Sequence, residues 1–534
     1  MNAVLVLPIA LPMVVAGLLL AAPRRLALHR AAWLVTSATV LGYGGWLLAA
    51  TRGGEVLVQR IGGWPAGIAI TLVADALSAL MITAVALVTL ACGVFAAGSA
   101  DDRRPYFVPL ALLMGAGAYG AFLTADLFNL FVMVEVMLVP SYVLLTTGGG
   151  RERITAGRVY VTVNLLASTI FLAGVGLVYA VAGTVDLAQL AGAAASSAPL
   201  AFAGAVVLLA LGVKAAVVPL HGWLPRSYPY APPVVTALFS GILTKVGVYA
   251  IVRIVSVVYD GATDYRWIIA LAAAVTMVVG VLGALGETGM RSVLAFHMVS
   301  QIGYILIGLA LFSVTALTAA IFFLVQYILV KAALFLCAGA IVVGYGTDRL
   351  DRLGGLAAVH RLLALAFIGA ALSLAGMPPF SGFLAKFLLL RAAATEGDQL
   401  IFVVAVLVSL GTLISMIKIW DLAFWGESSA IQPGPSDQPG QPGLVGVTRA
   451  KNSAGTPAPA QADTAAPTGV AVEVDAPQTD TPARIGLAMT VPALLLTVLS
   501  LLLGPAAGPL LDLAAGAAEG LIDPSAYIEA VTGR

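Results

Sequence analysis

Apolar residues in this chain fall into long uninterrupted runs, neither alternating as in a half-buried strand nor forming one stripe as on a soluble helix. A helix needs about 20 predominantly apolar residues to cross a bilayer. Fourteen runs approach or exceed that length: 4–22, 31–50, 71–97, 106–123, 127–146, 159–181, 200–220, 234–258, 267–285, 292–312, 315–343, 362–390, 400–425 and 485–503. The pattern predicts an all-α polytopic membrane protein with about fourteen transmembrane helices. The first run has no basic leader and is followed by Arg24, Arg25 and Arg30, so it reads as a retained span, not a secretory signal. Two runs are broken: prolines 219, 225, 229, 232 and 233 follow the seventh, and Gly376, Pro378 and Pro379 interrupt the twelfth. Between 428 and 483 the pattern stops, and Pro, Gly, Gln, Ser, Thr and Ala dominate; a disordered cytoplasmic linker is expected there. The last stretch, 504–534, has four acids against one arginine and is expected to be a loosely amphipathic outer tail.

Composition narrows the function classes. With 534 residues, 60% of them hydrophobic, 10% charged and a mean hydropathy of +1.02, the chain has too few polar groups to cover a soluble globule. A net charge of +1 without a basic run gives no reason to expect a nucleic-acid partner. Cys92 and Cys337 are isolated in apolar runs and read as packing residues. No metal, phosphate-loop or nucleophile motif occurs, so no cofactor, metal or enzymatic chemistry is expected. Placing the N-terminus outside puts sixteen of the 27 basic residues on the inner side and six on the outer, which favours both termini outside. The remaining five, Lys214, Lys245, Lys331, Lys386 and Lys418, lie within spans, whereas every arginine can be assigned to a loop or a span end.

That division carries the chemistry. An ionisable side chain at bilayer depth costs several kcal/mol and usually faces a bundle interior or a water-filled cavity. A buried lysine can alternate between charged and neutral forms, while a guanidinium stays protonated. Lys214, Lys245, Lys331 and Lys386 are therefore expected on a proton pathway; Lys418, nearer a span end, can equally snorkel. Glu135 is the one acid near a span centre, and a carboxylate there forms either a switch or a static pair with a lysine. His297, with Ser300, Gln301 and Tyr304 at helical spacing, is a candidate relay. His221 beside Trp223 fits an interfacial anchor, and Asp75 and Asp126 sit at outer span ends, where a cap and an entry site look alike.

The stretches ADLFNLFVMVEVMLVPSY around Glu135, VKAAVVPLHGWLPRSYPYAPPVVTALFSGILTKVGVYAIVR around Lys214 and Lys245, AFHMVSQIGYILIG around His297 and MPPFSGFLAKF around Lys386 resemble a known family. It is the proton-translocating antiporter family shared by Mrp-type cation/proton antiporters and the antiporter-like membrane subunits of respiratory complex I. The resemblance implies fourteen helices, two inverted five-helix repeats (helices 4–8 and 9–13), discontinuous helices 7 and 12, and a proton path through Glu135, Lys214, Lys245 and Lys386. Within the family, WLPRSYPYAPP and Lys386 are most similar to the D-type branch of the Mrp antiporters. The expected organisation is then residues 1–100 as helices 1–3, 101–260 and 261–427 as the two repeats, 428–483 as the linker and 484–534 as the last helix and tail. Expected function is proton translocation in a multisubunit Na+ or K+/proton antiporter of a bacterial plasma membrane, with other membrane subunits as partners. A proton-pumping subunit of a redox complex is the alternative, and a scaffold with frozen ion pairs is a third reading. In the antiporter reading Glu135 and Lys214 form an ion pair whose opening passes a proton to Lys245, then through Lys331 and His297 to Lys386.

Overall fold

The computed structural model describes residues 4–65, 67–261, 263–426 and 485–533. The linker expected at 428–483 lies outside the described residues. Helix α1 (Leu7–Ala21) and α2 (Leu26–Ala50) lead into an antiparallel hairpin, β1 (Leu57–Arg60) with β2 (Thr71–Ala74), and then α3 (Ala76–Ser99). The next group is α4 (Phe107–Leu123), α5 (Leu127–Thr146), α6 (Arg151–Ala182), the short α7 (Ala193–Ser196), α8 (Ala198–Ala215), α9 (Trp223–Ser227) and α10 (Pro233–Val257). It is followed by α11 (Arg266–Gly286), α12 (Met290–Leu311), α13 (Val314–Tyr345), α14 (Leu356–Val359), α15 (Arg361–Ala375), α16 (Ser381–Thr395) and α17 (Gln399–Ile419), which continues as a π-helical turn, Trp420–Trp425. The chain closes with α18 (Leu487–Leu502), α19 (Gly508–Ile522) and α20 (Ser525–Thr532).

Among the described residues ten helices are long and apolar enough to cross a membrane, and α1, α4, α15 and α18 are shorter apolar helices. Thirteen of the runs map onto one of these each, and the twelfth, 362–390, is split between α15 and α16. The all-round apolar α10 and α13 are buried on every side, and α12 nearly so, as expected for helices without a polar face in the centre of a bundle. Helices α2, α6, α11 and α17 bury a third of their apolar window and turn the rest outward. The core thus surrounds the three helices that carry Lys245, His297 and Lys331.

Neighbour relations recur. In the first group α4 packs on α5, α5 on α6, α6 on α8 and α8 on α10. In the second α11 packs on α12, α12 on α13, α13 on α15 and α16, and these on α17. Helices α6 and α13, third in each group, both have 32 residues.

Both breaks satisfy the backbone groups they free, the condition for irregular backbone at membrane depth. Helix α8 ends at Ala216 in the left-handed region (φ 60°); Trp223 Nε1 donates to Val213 O at 2.8 Å, and Val218 N donates to Thr276 Oγ1 at 3.1 Å. Helix α15 ends at Gly376 (φ 86°), and Ser373 Oγ receives the Gly382 N–H at 3.4 Å.

Two expectations change, and one open point is filled. The third run does not begin as helix: Thr71–Ala74 is strand β2, its β-branched Thr71 and Val73 suiting the pleat, and Asp75 caps α3. The tail, whose contacts the sequence left open, packs through α19 on α3 and α13. Arg253, assigned from sequence to the outer surface, lies inside α10 and is buried (4% exposed), where its guanidinium pairs with Asp75 at 2.6 Å.

Candidate functional site

Three helices assemble the first cluster. Lys214, in the last turn of α8, is 4% exposed; its Nζ donates to Asn164 O and to Ser168 Oγ, each at 2.8 Å, both on α6. Ser168 Oγ is in turn hydrogen-bonded to Glu135 Oε1 on α5 and lies 2.9 Å from Asn164 O. Glu135 and Lys214 therefore do not form the expected direct ion pair: Ser168 stands between them. A hydroxyl has one proton to donate and can accept from an ammonium at the same time. Ser168 can give its proton to Glu135 or to the Asn164 carbonyl, but not to both.

The second cluster surrounds α12. Lys245 (α10) donates to Ser240 O and to Thr244 Oγ1 at 3.2 Å, and its ammonium lies 4.3 Å from the centre of the Tyr327 ring. Lys331 (α13) donates to Leu294 O at 2.9 Å. Lys386, in the second turn of α16, reaches back across the break to Ala375 O and to Ser409 Oγ, both at 3.2 Å, with the Tyr304 ring 4.8 Å away. His297 Nε2 is 2.5 Å from Ser415 Oγ on α17. All four residues are buried, and among the described residues no carboxylate lies within 4 Å of any of these three ammonium groups. Carbonyl dipoles, hydroxyls and ring faces take the place of counter-ions, the last as cation–π contacts.

The lower-ranked candidates separate from these clusters. Lys418 Nζ donates to Leu285 O and Glu287 O at 2.9 and 2.7 Å, capping the carbonyl end of α11 as a cation at a helix C-terminus does. His221 is half-buried in the turn between α8 and α9. Asp75 is the N-cap of α3, in a capping box with Ser78, and also the partner of Arg253. Burial pushes its carboxyl up, but Arg253 and the Ser78 hydroxyl and amide outweigh that and hold it below the usual carboxylate range. Asp126 is the N-cap of α5, accepting from Asn129 N at 2.6 Å; burial, and then Asp186 across a backbone bridge, push its carboxyl up.

Residues 124–415, more than half of the chain and spanning both clusters, match the family described as NADH:quinone oxidoreductase/Mrp antiporter, TM. The chain belongs to this antiporter family. It is 38% identical to the D-type Na(+)/H(+) antiporter subunit of Alkalihalophilus pseudofirmus over 436 residues, 80% of this chain and 88% of that protein. A chain in the structure of the Mrp complex from Dietzia sp. DQ12-45-1b is similar at 45% identity, with a TM-score of 0.89 and 99% of both chains covered. A chain of respiratory complex I from Thermus thermophilus, at 24% identity and a TM-score of 0.74 over 97% of this chain and 99% of that one, shares the fold.

Two residues of this Mrp-family chain were not singled out from sequence. Ser168 and Asn164 look like routine polar positions in an apolar helix, yet Tyr160, Asn164 and Ser168 follow at intervals of four and share one face. Comparing the paired helices sharpens that signal. Ser168 is the eighteenth residue of α6 and Lys331 the eighteenth of α13, while Asn164 and Tyr327 are the fourteenth of each. At the same position along two 32-residue helices, α6 thus has a hydroxyl where α13 has an ammonium.

Proposed function

We propose that the chain is the proton-translocating subunit of a multisubunit antiporter that exchanges Na+ or K+ for protons across a bacterial plasma membrane, with both termini outside and other membrane subunits as partners. The names of its relatives, a Na(+)/H(+) antiporter subunit of D type and an Mrp complex, support that class of function. The observation that carries the mechanism is the Ser168 bridge between Glu135 and Lys214, followed by three buried lysines with no carboxylate beside them.

In this reading 101–260 and 261–427 act as two half-channels. With its hydroxyl turned to Glu135, Ser168 offers a lone pair to Lys214 and holds the ammonium in place. When Ser168 turns to Asn164, or Glu135 takes up a proton, that hold weakens and Lys214 releases its proton toward Lys245. Lys331 and His297 carry it on, and Lys386 passes it to the opposite surface. Each charge biases its neighbours, so the sites titrate as a set.

Glu135→Gln and Lys214→Ala are the test. Either variant is expected to abolish cation-dependent proton flux in inverted vesicles while the complex still assembles; wild-type flux in either one overturns the scheme. Copurification with quinone-reducing subunits in mild detergent would move the chain to a redox-driven complex.

A further inference from the structure

Guanidinium groups from three separate parts of the chain meet at the end of the bundle where α5 finishes and α6 begins. Arg104, just before α4, and Arg153, in the first turn of α6, both donate through Nη1 to Thr147 O, at 2.7 and 2.9 Å. Arg153 Nε donates to Tyr230 O at 2.9 Å, and Arg291, in the first turn of α12, donates to the next carbonyl, Ala231 O, at 3.1 Å. Gly148 leaves room for this convergence: a Cβ there would lie 2.5 Å from Arg104 Nη1 and 2.7 Å from Arg153 Nη1. Arg104 and Arg291 are both near enough to act on Arg153 electrostatically.

The charges in this cluster do not balance. Arg104 pairs with Asp101 at 3.3 Å and Arg291 with Asp348 at 3.0 Å, but among the described residues no carboxylate lies within 4 Å of Arg153. Its Nη2 is bonded to nothing among those residues, and neither is that of Arg291. Carbonyl oxygens carry no net charge, so a half-buried cation beside two others still has the use of an anion. The free edge of a guanidinium is a fork that matches two oxygens of a phosphate.

The surroundings select the kind of anion. Val143 and Val139 precede Thr147 by four and eight residues and so lie in line with it on one face of α5; both are exposed. Tyr106, two residues after Arg104, is exposed as well, as an aromatic ring at headgroup level would be. The unpaired guanidinium edge therefore stands at the end of an exposed apolar stripe, where a phospholipid can place its phosphate at the surface and an acyl chain along the helix. A free phosphate would leave the stripe bare. A zwitterionic headgroup would bring its own ammonium against three guanidiniums, which favours a lipid of net negative charge.

We propose that Arg153, with Arg104 and Arg291, binds the phosphate of an anionic phospholipid whose acyl chain lies along Val143 and Val139. Arg153 gives the phosphate its Nη2 edge while Nε and Nη1 stay on Tyr230 O and Thr147 O. Those carbonyls belong to the break that follows Lys214 and to the end of the helix that carries Glu135, so the bound lipid fastens these two elements together.

The test places the assembled complex in phosphatidylcholine vesicles containing phosphatidylglycerol with a photoactivatable group beside its headgroup, and maps the labelled peptides by mass spectrometry. Wild type is expected to be labelled within 104–106 and 147–153. Arg153→Gln should be labelled about tenfold less, as loss of a hydrogen bond to a charged group implies, whereas Arg158→Gln, which removes an exposed charge further along α6, should match wild type. Equal labelling of wild type and Arg153→Gln overturns the site, and so does an equal loss in both variants, which means diffuse charge attraction. Loss of labelling on adding inorganic phosphate at constant ionic strength assigns the cluster to a free anion instead, and equal labelling by a phosphatidylcholine analogue removes the selection by charge. If Arg153→Gln fails to assemble, a map of the wild-type complex decides. Headgroup density at Arg153 Nη2 with a chain along Val143 supports the lipid; anything else there, a carboxylate of a partner subunit included, overturns it. Labelling is read without transport, so its failure leaves the antiporter reading standing.

Discussion

Ser168 is the smallest group in the Glu135–Lys214 cluster, and its one proton decides how the others interact. Removing the hydroxyl leaves Lys214 with the Asn164 carbonyl alone and separates Glu135 from it. Ser168→Ala is therefore expected to cut proton flux in inverted vesicles by about tenfold or more, as a lost hydrogen bond to a charged group of about 1.5–3 kcal/mol implies. Ser168→Thr, which keeps the hydroxyl, is expected to retain most of it; equal losses in both would show that packing, not the bridge, matters. Lys245 is expected to behave differently, because it has carbonyl and ring partners and no acid. Lys245→Arg keeps the charge but cannot release a proton, so its flux is expected to match that of Lys245→Ala. At this scale the sequence made the costly residues legible, since a lysine or glutamate in an apolar run stands out by its desolvation penalty. Ser168 and Asn164 are cheap to place in a helix, and only their neighbours reveal them.

Helices were legible because apolar length and proline breaks are local properties of the chain. What the breaks do was less so. From the order of residues Lys214 precedes its break and Lys386 follows one, which looks asymmetric; yet Lys386 donates back to Ala375 O, at the carbonyl end of α15, just as Lys214 sits at the carbonyl end of α8. The α15–α16 break depends on the absence of a side chain at 382. A Cβ on Gly382 would lie 1.7 Å from Ser373 O, whereas one on Gly42 in α2 would meet nothing within 4 Å. Gly382→Ala must push α16 off α15, at the upper end of the roughly 1–3 kcal/mol typical of overpacking or beyond it, and should displace Lys386. The expected outcome is a lower melting temperature in detergent together with lost flux, while Gly42→Ala changes neither. The hairpin β1–β2 was missed because Thr71–Ala74 runs directly into α3 in one apolar stretch, and strand pairing with Leu57–Arg60 is not a local property.

At the scale of the whole molecule, the Arg253–Asp75 pair ties separate parts of the chain together. Arg253 on α10 contacts Asp75 at the start of α3 and lies 5.0 Å from the centre of the Tyr527 ring on α20. One turn of α10 nearby, Ser256 Oγ donates to Leu521 O at 2.5 Å, and Arg60 on β1 donates to Val531 O at 2.9 Å. The C-terminal helices are thereby fastened over the end of the most buried helix, α10. Removing one member of a buried pair leaves the other charge uncompensated and costs about 3–5 kcal/mol, while replacing both with apolar groups is often neutral. Asp75→Asn, which keeps the cap on α3, should therefore lower the melting temperature of the purified protein substantially, and adding Arg253→Met to it, which removes the uncompensated charge, should recover most of that loss. Because the folded-state Asp75 carboxyl is held below its unfolded value, its contribution is present above the usual carboxylate pKa and disappears as pH falls through the lower, folded value. Melting temperature measured from pH 7 downward should drop more steeply in the acidic range for wild type than for the double variant. Parallel curves would mean that the clamp is held by packing of α19 and α20, and not by this charge.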